Sequence, residues 1–294
     1  VQVPATTANL GPGYDCLGLA LGLHNEVTLT QADALSVQIE GEGADTLARD
    51  GSHLVLVAAA AACAAAGREP PPLALRQVNR IPLARGLGSS SAAIVGGIVG
   101  ANELLGLGLS ARQMLEVAAA VEGHPDNVAP ALLGGLTVCC ATEGGVLVER
   151  LEVAPGLSCV VAVPDFEVAT HQARGALPDI VPHADAVFNL CRSGLVVAAL
   201  VSGDFALLGE AMRDRLHQPY RARLVPGMDE TIAAALGAGA HGAALSGSGS
   251  TVAAFVTGGG EEVGAAMVKA FAQAGTTAVA RALPLSAEGA RVVG

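Results

Sequence analysis

Tryptophan is missing from this chain, aromatic residues of every kind make up 2% of it, and lysine occurs once, as Lys269. With so few aromatic faces, platforms on which nucleic-acid bases could stack are scarce. Positive charge is scarce as well: 16 Lys and Arg stand against 27 Asp and Glu, a net charge of −11. Such a chain does not coat nucleic acid or an anionic membrane, so a phosphate ligand has to be met locally. Although 51% of residues are hydrophobic, no run of about 18 or more strongly apolar, charge-free residues offers a membrane span. No leader or targeting stretch is read at Val1. The six cysteines, Cys16, Cys63, Cys139, Cys140, Cys159 and Cys191, contain no C-x-x-C pair and no zinc spacing. Reduced thiols and a cytoplasmic location are the expectation.

What is present is glycine, serine and alanine in an unusual arrangement. Residues 81–97 read IPLARGLGSSSAAIVGG, a loop that feeds a small-residue helix. Free N–H groups at a helix N-terminus, backed by the helix dipole, make a phosphate cradle. The loop lacks the lysine of a G-x-x-x-x-G-K-[ST] loop. It is not a dinucleotide fingerprint either, because Ser91 stands where the third glycine would pack.

The 294 residues exceed what one core comfortably serves, so two domains are expected, 1–150 and 151–294. In the first, residues 1–7 and 17–30 read as strands around the turn NLGPGYD, and 53–66 reads as a helix capped by Ser52. A strand at 73–79 leads into the loop, Ser110 caps a further helix, and Pro125 and Pro130 break the chain after it. Strands follow at 136–141 and 145–151. The second half reads as strand 158–164, helices within 167–215 and 227–237, strands 242–245 and 251–256, helix 260–274 and strand 277–283. Both halves are α+β.

Four segments then fall into a consistent order: VPATTANLGPGYDCLGLAL (3–21), PLARGLGSSSA (82–92), EGHPDNVAPALLGGLTV (122–138) and GAALSGSGSTVAAF (242–255). Together they resemble the GHMP small-molecule kinases, and the first and third look closest to the branch of that family acting on L-homoserine. The resemblance implies a two-domain α+β fold, an N-terminal nucleotide-binding domain and a C-terminal ferredoxin-like domain with the site between them. It also implies ATP, Mg²⁺ and transfer of phosphate to the hydroxyl of L-homoserine on the way to threonine. Tyr14 stands where relatives commonly have Phe, His53 where Asn is common near the base, and Ser250 where the last motif usually has Pro.

The resemblance assigns the nucleotide to Pro82, Leu83, Ala84, Arg85, Gly86, Leu87, Gly88, Ser89, Ser90, Ser91 and Ala92, and the metal to Ser90 and Glu122. It places Asn9, Asp15, His124, Arg174 and Arg221 on the amino-acid substrate, and Asp126, Asn127 and Arg174 at the reacting groups. A zwitterion needs an anion for its ammonium and cations for its carboxylate, and the forked guanidinium suits the second task. Plainer roles stay open beside these. Asn9 and Asp15 could stabilise a Gly-Pro turn, His124, Asp126 and Asn127 could cap a helix, Glu122 could be a solvated helix end, and the arginines could pair with Asp179 or Asp214. A GHMP kinase for a mevalonate-type or sugar-like alcohol, a catalytically silent nucleotide-binding protein on the same fold, and a homodimer all remain open too.

Overall fold

The structure is a computed structural model that describes residues 1–293. Its first half is a six-stranded sheet built around one long strand. β1 (Gln2–Ala8) and β4 (Leu73–Asn79) pair antiparallel with β2 (Leu17–Gln31), β3 (Ser36–Gly41) runs parallel to β4, and β5 (Leu136–Thr142) and β6 (Gly145–Leu151) extend the other edge. The second half is a four-stranded antiparallel sheet from β7 (Leu157–Pro164), β8 (Gly242–Leu245), β9 (Val252–Thr257) and β10 (Ala278–Pro284), in the order β10-β7-β9-β8. The strand β3 is not anticipated from the sequence.

Four helices cover the first sheet: α1 (Leu54–Ala65), α2 (Ser89–Leu105), α3 (Ala111–Glu122) and α4 (Pro125–Leu133). The small residues of α2 serve close packing. A Cβ on Gly97 would lie 2.2 Å from the carbonyl oxygen of Val55 in α1, so the two backbones touch only because this residue has none. The chain then adds α5 (Thr170–Gly175), α6 (His183–Ser202), α7 (Leu208–Ala211), α8 (Gln218–Arg221), α9 (Met228–Gly237) and α10 (Glu261–Gln273). α6 is 20 residues long and apolar enough in composition to cross a membrane. It carries Asp185 in an ion pair with Arg215, and a buried Asn189 that donates to Asp214. Buried Leu, Val and Ala side chains run from the first sheet into the second without a break, reaching Cys159 and Phe255. The C-terminal segment binds the halves further: Ser286 N–H donates to Ala20 O and Ala290 N–H to Ala131 O.

Two readings need correction. Ser52 does not cap α1: its N–H and hydroxyl are both taken by the Asp50 carboxylate, at 2.9 and 2.5 Å. His53 is the cap, its Nδ1 accepting from Val55 N–H at 3.3 Å. Nor do Pro125 and Pro130 end regular structure. Pro125 opens α4 at a position where a missing N–H costs nothing, and Pro130 sits inside a short helix that tolerates the lost Asp126 carbonyl bond.

Candidate active site

The N-terminus of α2 is the floor of a cleft. Gly88 precedes it in the left-handed region, φ +69°, and no side chain caps the first turn, so N–H groups of Ser89, Ser90 and Ser91 are left for a ligand. The hydroxyls of Ser90 and Ser91 point to one carboxylate: Ser90 Oγ donates to Glu122 Oε2 at 2.7 Å and Ser91 Oγ to Oε1 at 3.1 Å. Glu122 is the last residue of α3, and the turn after it, through Gly123 and His124, starts α4. That corner brings Glu122, His124, Asp126 and Asn127 to the loop. His124 Nδ1 lies 2.6 Å from Asp126 Oδ1. Burial alone would lower the His124 pKa, but the hydrogen bond and charge of Asp126, helped by Glu122, outweigh it and raise it. Asn127 is anchored to β1 by accepting from Thr6 Oγ1 at 2.8 Å.

The opposite wall comes from the β1–β2 turn and the second half. Asn9 holds the turn by accepting from Asp15 N–H and ties it to the β8–β9 loop by donating to Gly247 O, both at 3.0 Å. Arg174 of α5 grips Asp15 with two bonds, Nη2 to Oδ1 at 2.8 Å and Nη1 to Oδ2 at 2.9 Å, and also donates to Tyr14 Oη at 3.0 Å. Arg221 is 2% exposed and donates to Ala173 O and Gly247 O, with its guanidinium 5.2 Å from the Tyr14 ring centre. The plain turn role of Asn9 is therefore present, and neither arginine pairs with Asp179 or Asp214. Asn9, Asp15, Arg174 and Arg221 line one cleft with Ser89–Ser91, Glu122, His124, Asp126 and Asn127.

Arg221 is positioned by a buried carboxylate that the sequence reading leaves unassigned to any site. Asp214 accepts N–H bonds from Leu216, His217 and Gln218 and one from Asn189 Nδ2, and it shows no exposed side-chain surface. Those donors fix the start of α8, where His217 reaches Gly11 O at 2.7 Å. Burial pushes the Asp214 pKa up, but His217 and the N–H donors outweigh it and hold it below the ordinary value. A depressed carboxylate stabilises the fold above its unfolded pKa, and that contribution is lost as pH falls through the folded value. Asp214→Asn is expected to cost about 1–3 kcal/mol at neutral pH, with the gap to wild type narrowing below about pH 4. Urea melts at pH 7 and at pH 3.5 check it, and a gap that widens in acid contradicts the assignment.

Beside the loop, a cavity of about 570 Å³ opens between α1, β4 and the second half, lined by His53, Gln77, Asn79, Leu83, Ala84, Ser89 and Thr170. Three buried polar atoms on its lining residues have no protein partner: His53 Nε2, Gln77 Oε1 and Asn79 Oδ1. Buried polar groups are nearly always partnered, by protein, water or a ligand. Burial lowers the His53 pKa, and Nδ1 already accepts from Val55, so the neutral ring carries its proton on Nε2 and offers a donor.

Over residues 53–135 the chain matches the GHMP kinases N terminal domain and over 196–273 the GHMP kinases C terminal domain. It is 47% identical over 294 residues to a homoserine kinase of Desulfitobacterium hafniense, covering 100% of this chain and 99% of that protein. Against a homoserine kinase of Moorella thermoacetica the identity is 48% over 293 residues, with 100% and 99% covered. The chain belongs to the homoserine kinases. A crystal structure of the homoserine kinase from Cytophaga hutchinsonii matches with a TM-score of 0.88 at 30% identity, over 99% of this chain and 96% of that one.

Within this homoserine kinase fold, the segment 82–92 expected to hold the nucleotide divides by side-chain direction. Leu87 and Ala92 are buried in the core, and the Arg85 guanidinium is turned to Pro164 O and Asp165 O at 2.9 and 3.0 Å. What Arg85 can offer a phosphate is main chain, because its guanidinium is committed to those two carbonyls. Gln77 and Asn79 are missed by motif reading, although β4 carries the signal. Its buried face alternates Leu73, Leu75, Gln77, Asn79, and polar residues on the apolar face of a strand are the informative exception.

Proposed function

We propose that this chain transfers the γ-phosphoryl group of ATP to the hydroxyl of L-homoserine, in the cytoplasm, giving O-phospho-L-homoserine and ADP. Residues 1–150 and 151–294 act as two domains with the reaction between them. The observation that carries the reading is the meeting, in one cleft, of the uncapped α2 N-terminus with the partly buried Glu122 carboxylate on one wall and Asp15, Arg174 and Arg221 on the other. One wall suits phosphates and the other a zwitterion. A mevalonate-type acceptor lacks the ammonium that an aspartate would hold.

ATP fits with its phosphates over the Ser89–Ser91 N–H groups and its base in the adjoining cavity, where His53 Nε2–H donates to a ring nitrogen and the Gln77 and Asn79 carbonyls accept from an amino group. The oxygens of Ser90 and Glu122, 2.7 Å apart, are hard donors that suit Mg²⁺, which takes few protein ligands and keeps waters and phosphate oxygens. When bound there, Mg²⁺ neutralises charge on the β- and γ-phosphates. The chain does the rest by positioning. Helix N–H groups stabilise the transferring phosphoryl, the two walls align the hydroxyl, and Asp126, held on Oδ1 by His124, presents Oδ2 to the hydroxyl proton. Transfer through a loose transition state asks little more of a base.

His53→Leu is expected to raise the apparent KM for ATP about tenfold, from loss of one buried donor, and to leave the KM for L-homoserine unchanged. His53→Asn keeps both a cap and an N–H and should lose far less. Equal ATP constants in wild type and His53→Leu would remove the base from this cavity. The reading as a whole is tested by ADP release across L-homoserine, mevalonate and sugar alcohols. Preference for either of the latter overturns it.

A further inference from the structure

The Asp15–Arg174 pair stands where the acceptor has to bind. Its two bonds cross a cleft of only about 80 Å³ beside the loop, against about 570 Å³ in the base cavity. The two cations differ in freedom. Arg221 is buried and held by two carbonyls, whereas every hydrogen bond of the Arg174 side chain goes to Tyr14 and Asp15, and its side chain is 36% exposed on a six-residue helix. Asp15 is fixed at its backbone by Asn9 and by a left-handed φ of +56°. Arg174 is the part that can move.

We propose that this ion pair is a latch that a zwitterion opens by exchange. The argument rests on the homoserine kinase reading. The ammonium of the acceptor replaces Arg174 on Asp15, and its carboxylate docks on fixed Arg221 and takes the released Arg174, so every charge in the cleft keeps a partner. An acid without an amine breaks the pair and leaves Asp15 facing it unpaired, an amine without an acid strands Arg174, and a neutral alcohol leaves the latch closed. Unpaired charge in a partly enclosed cleft is disfavoured. Selection is thus built into the empty site as well as into contacts with the bound acceptor.

The test compares kcat/KM for L-homoserine, 4-hydroxybutanoate and propan-1-ol, with ATP and Mg²⁺, in wild type, Asp15→Asn, and Asp15→Asn combined with Arg174→Gln. The latch predicts that L-homoserine loses at least about a hundredfold in the double variant, while propan-1-ol gains about three- to tenfold over wild type because nothing charged closes the cleft. In Asp15→Asn, 4-hydroxybutanoate gains by a similar factor. If propan-1-ol stays at its wild-type value or falls in the double variant while wild type phosphorylates L-homoserine, the latch is wrong and the functional reading stands. Wild type inactive on L-homoserine overturns both. A second readout does not depend on those variants folding. Tyr14 and Tyr220 are the two tyrosines and there is no tryptophan, so Tyr220→Phe makes Tyr14 the sole emitter above phenylalanine. Saturating L-homoserine should change Tyr14 emission as Arg174 leaves its hydroxyl, and equal concentrations of propan-1-ol should not. Identical emission with and without L-homoserine contradicts the exchange.

Discussion

Glu122→Gln is expected to lower turnover by roughly 10²- to 10³-fold, the loss that follows removal of one well-placed charge-stabilising group from a reacting phosphate. The variant keeps the shape of the side chain and an oxygen for the serine hydroxyls, so the melting temperature should move little. What it removes is the negative charge that two hydroxyls converge on at 2.7 and 3.1 Å. If that charge holds Mg²⁺ beside the loop, higher Mg²⁺ recovers part of the activity. Wild-type turnover, or a loss explained wholly by unfolding, removes Glu122 from the metal site.

Gly88→Val is expected to abolish ATP binding, through a contact other than the one loop motifs suggest. A Cβ on Gly88 would stand 2.0 Å from Thr6 Oγ1 and 3.3 Å from Thr6 N, in a backbone conformation with φ +69° that valine resists. Thr6 lies in β1 and donates to Asn127, so the side chain would push the start of α2 away from its sheet and disperse the N–H groups proposed to take the phosphates. Gly88→Ala meets the same oxygen, and adding Thr6→Ala should restore a measurable part of the ATP affinity. Unchanged ATP affinity in a folded Gly88→Val protein would place the phosphates elsewhere.

How much of this was legible in the chain depended on how local the determinants were. The strands and helices around the loop follow from period-2 and period-3.6 patterns, and Ser110 declares its helix by forming a capping box with Gln113. The missed strand Ser36–Gly41 does alternate, with Val37 and Ile39 buried between exposed neighbours, but two apolar positions in six residues at a sheet edge are too short a pattern to stand out. His53 took the cap from Ser52 because Asp50, two residues back, binds the serine first, a competition among three neighbours that residue types alone do not rank. In the site, the resemblance to the GHMP kinases brought Ser90, Glu122, Asp126 and Asn127 into view, and they share a cleft with Asn9, Asp15, Arg174 and Arg221. Pairings across the chain were out of reach. Asp15 and Arg174 are 159 residues apart, and only the folded backbone shows that two groups read as separate contacts hold each other. Arg85 illustrates the reverse: its place in the loop suggests a phosphate ligand, and tertiary packing commits its guanidinium to Pro164 and Asp165.

Phosphate is proposed to move from ATP to the hydroxyl of L-homoserine in the cleft between α2 and the Asp15–Arg174 wall. The most direct measurement is ³¹P NMR of the purified protein with ATP, Mg²⁺ and L-homoserine. A phosphomonoester resonance of O-phospho-L-homoserine is expected to grow in step with ADP and to be absent when L-homoserine is omitted. ADP and inorganic phosphate without the phosphomonoester, or a phosphomonoester formed from mevalonate or a sugar alcohol and not from L-homoserine, would contradict it.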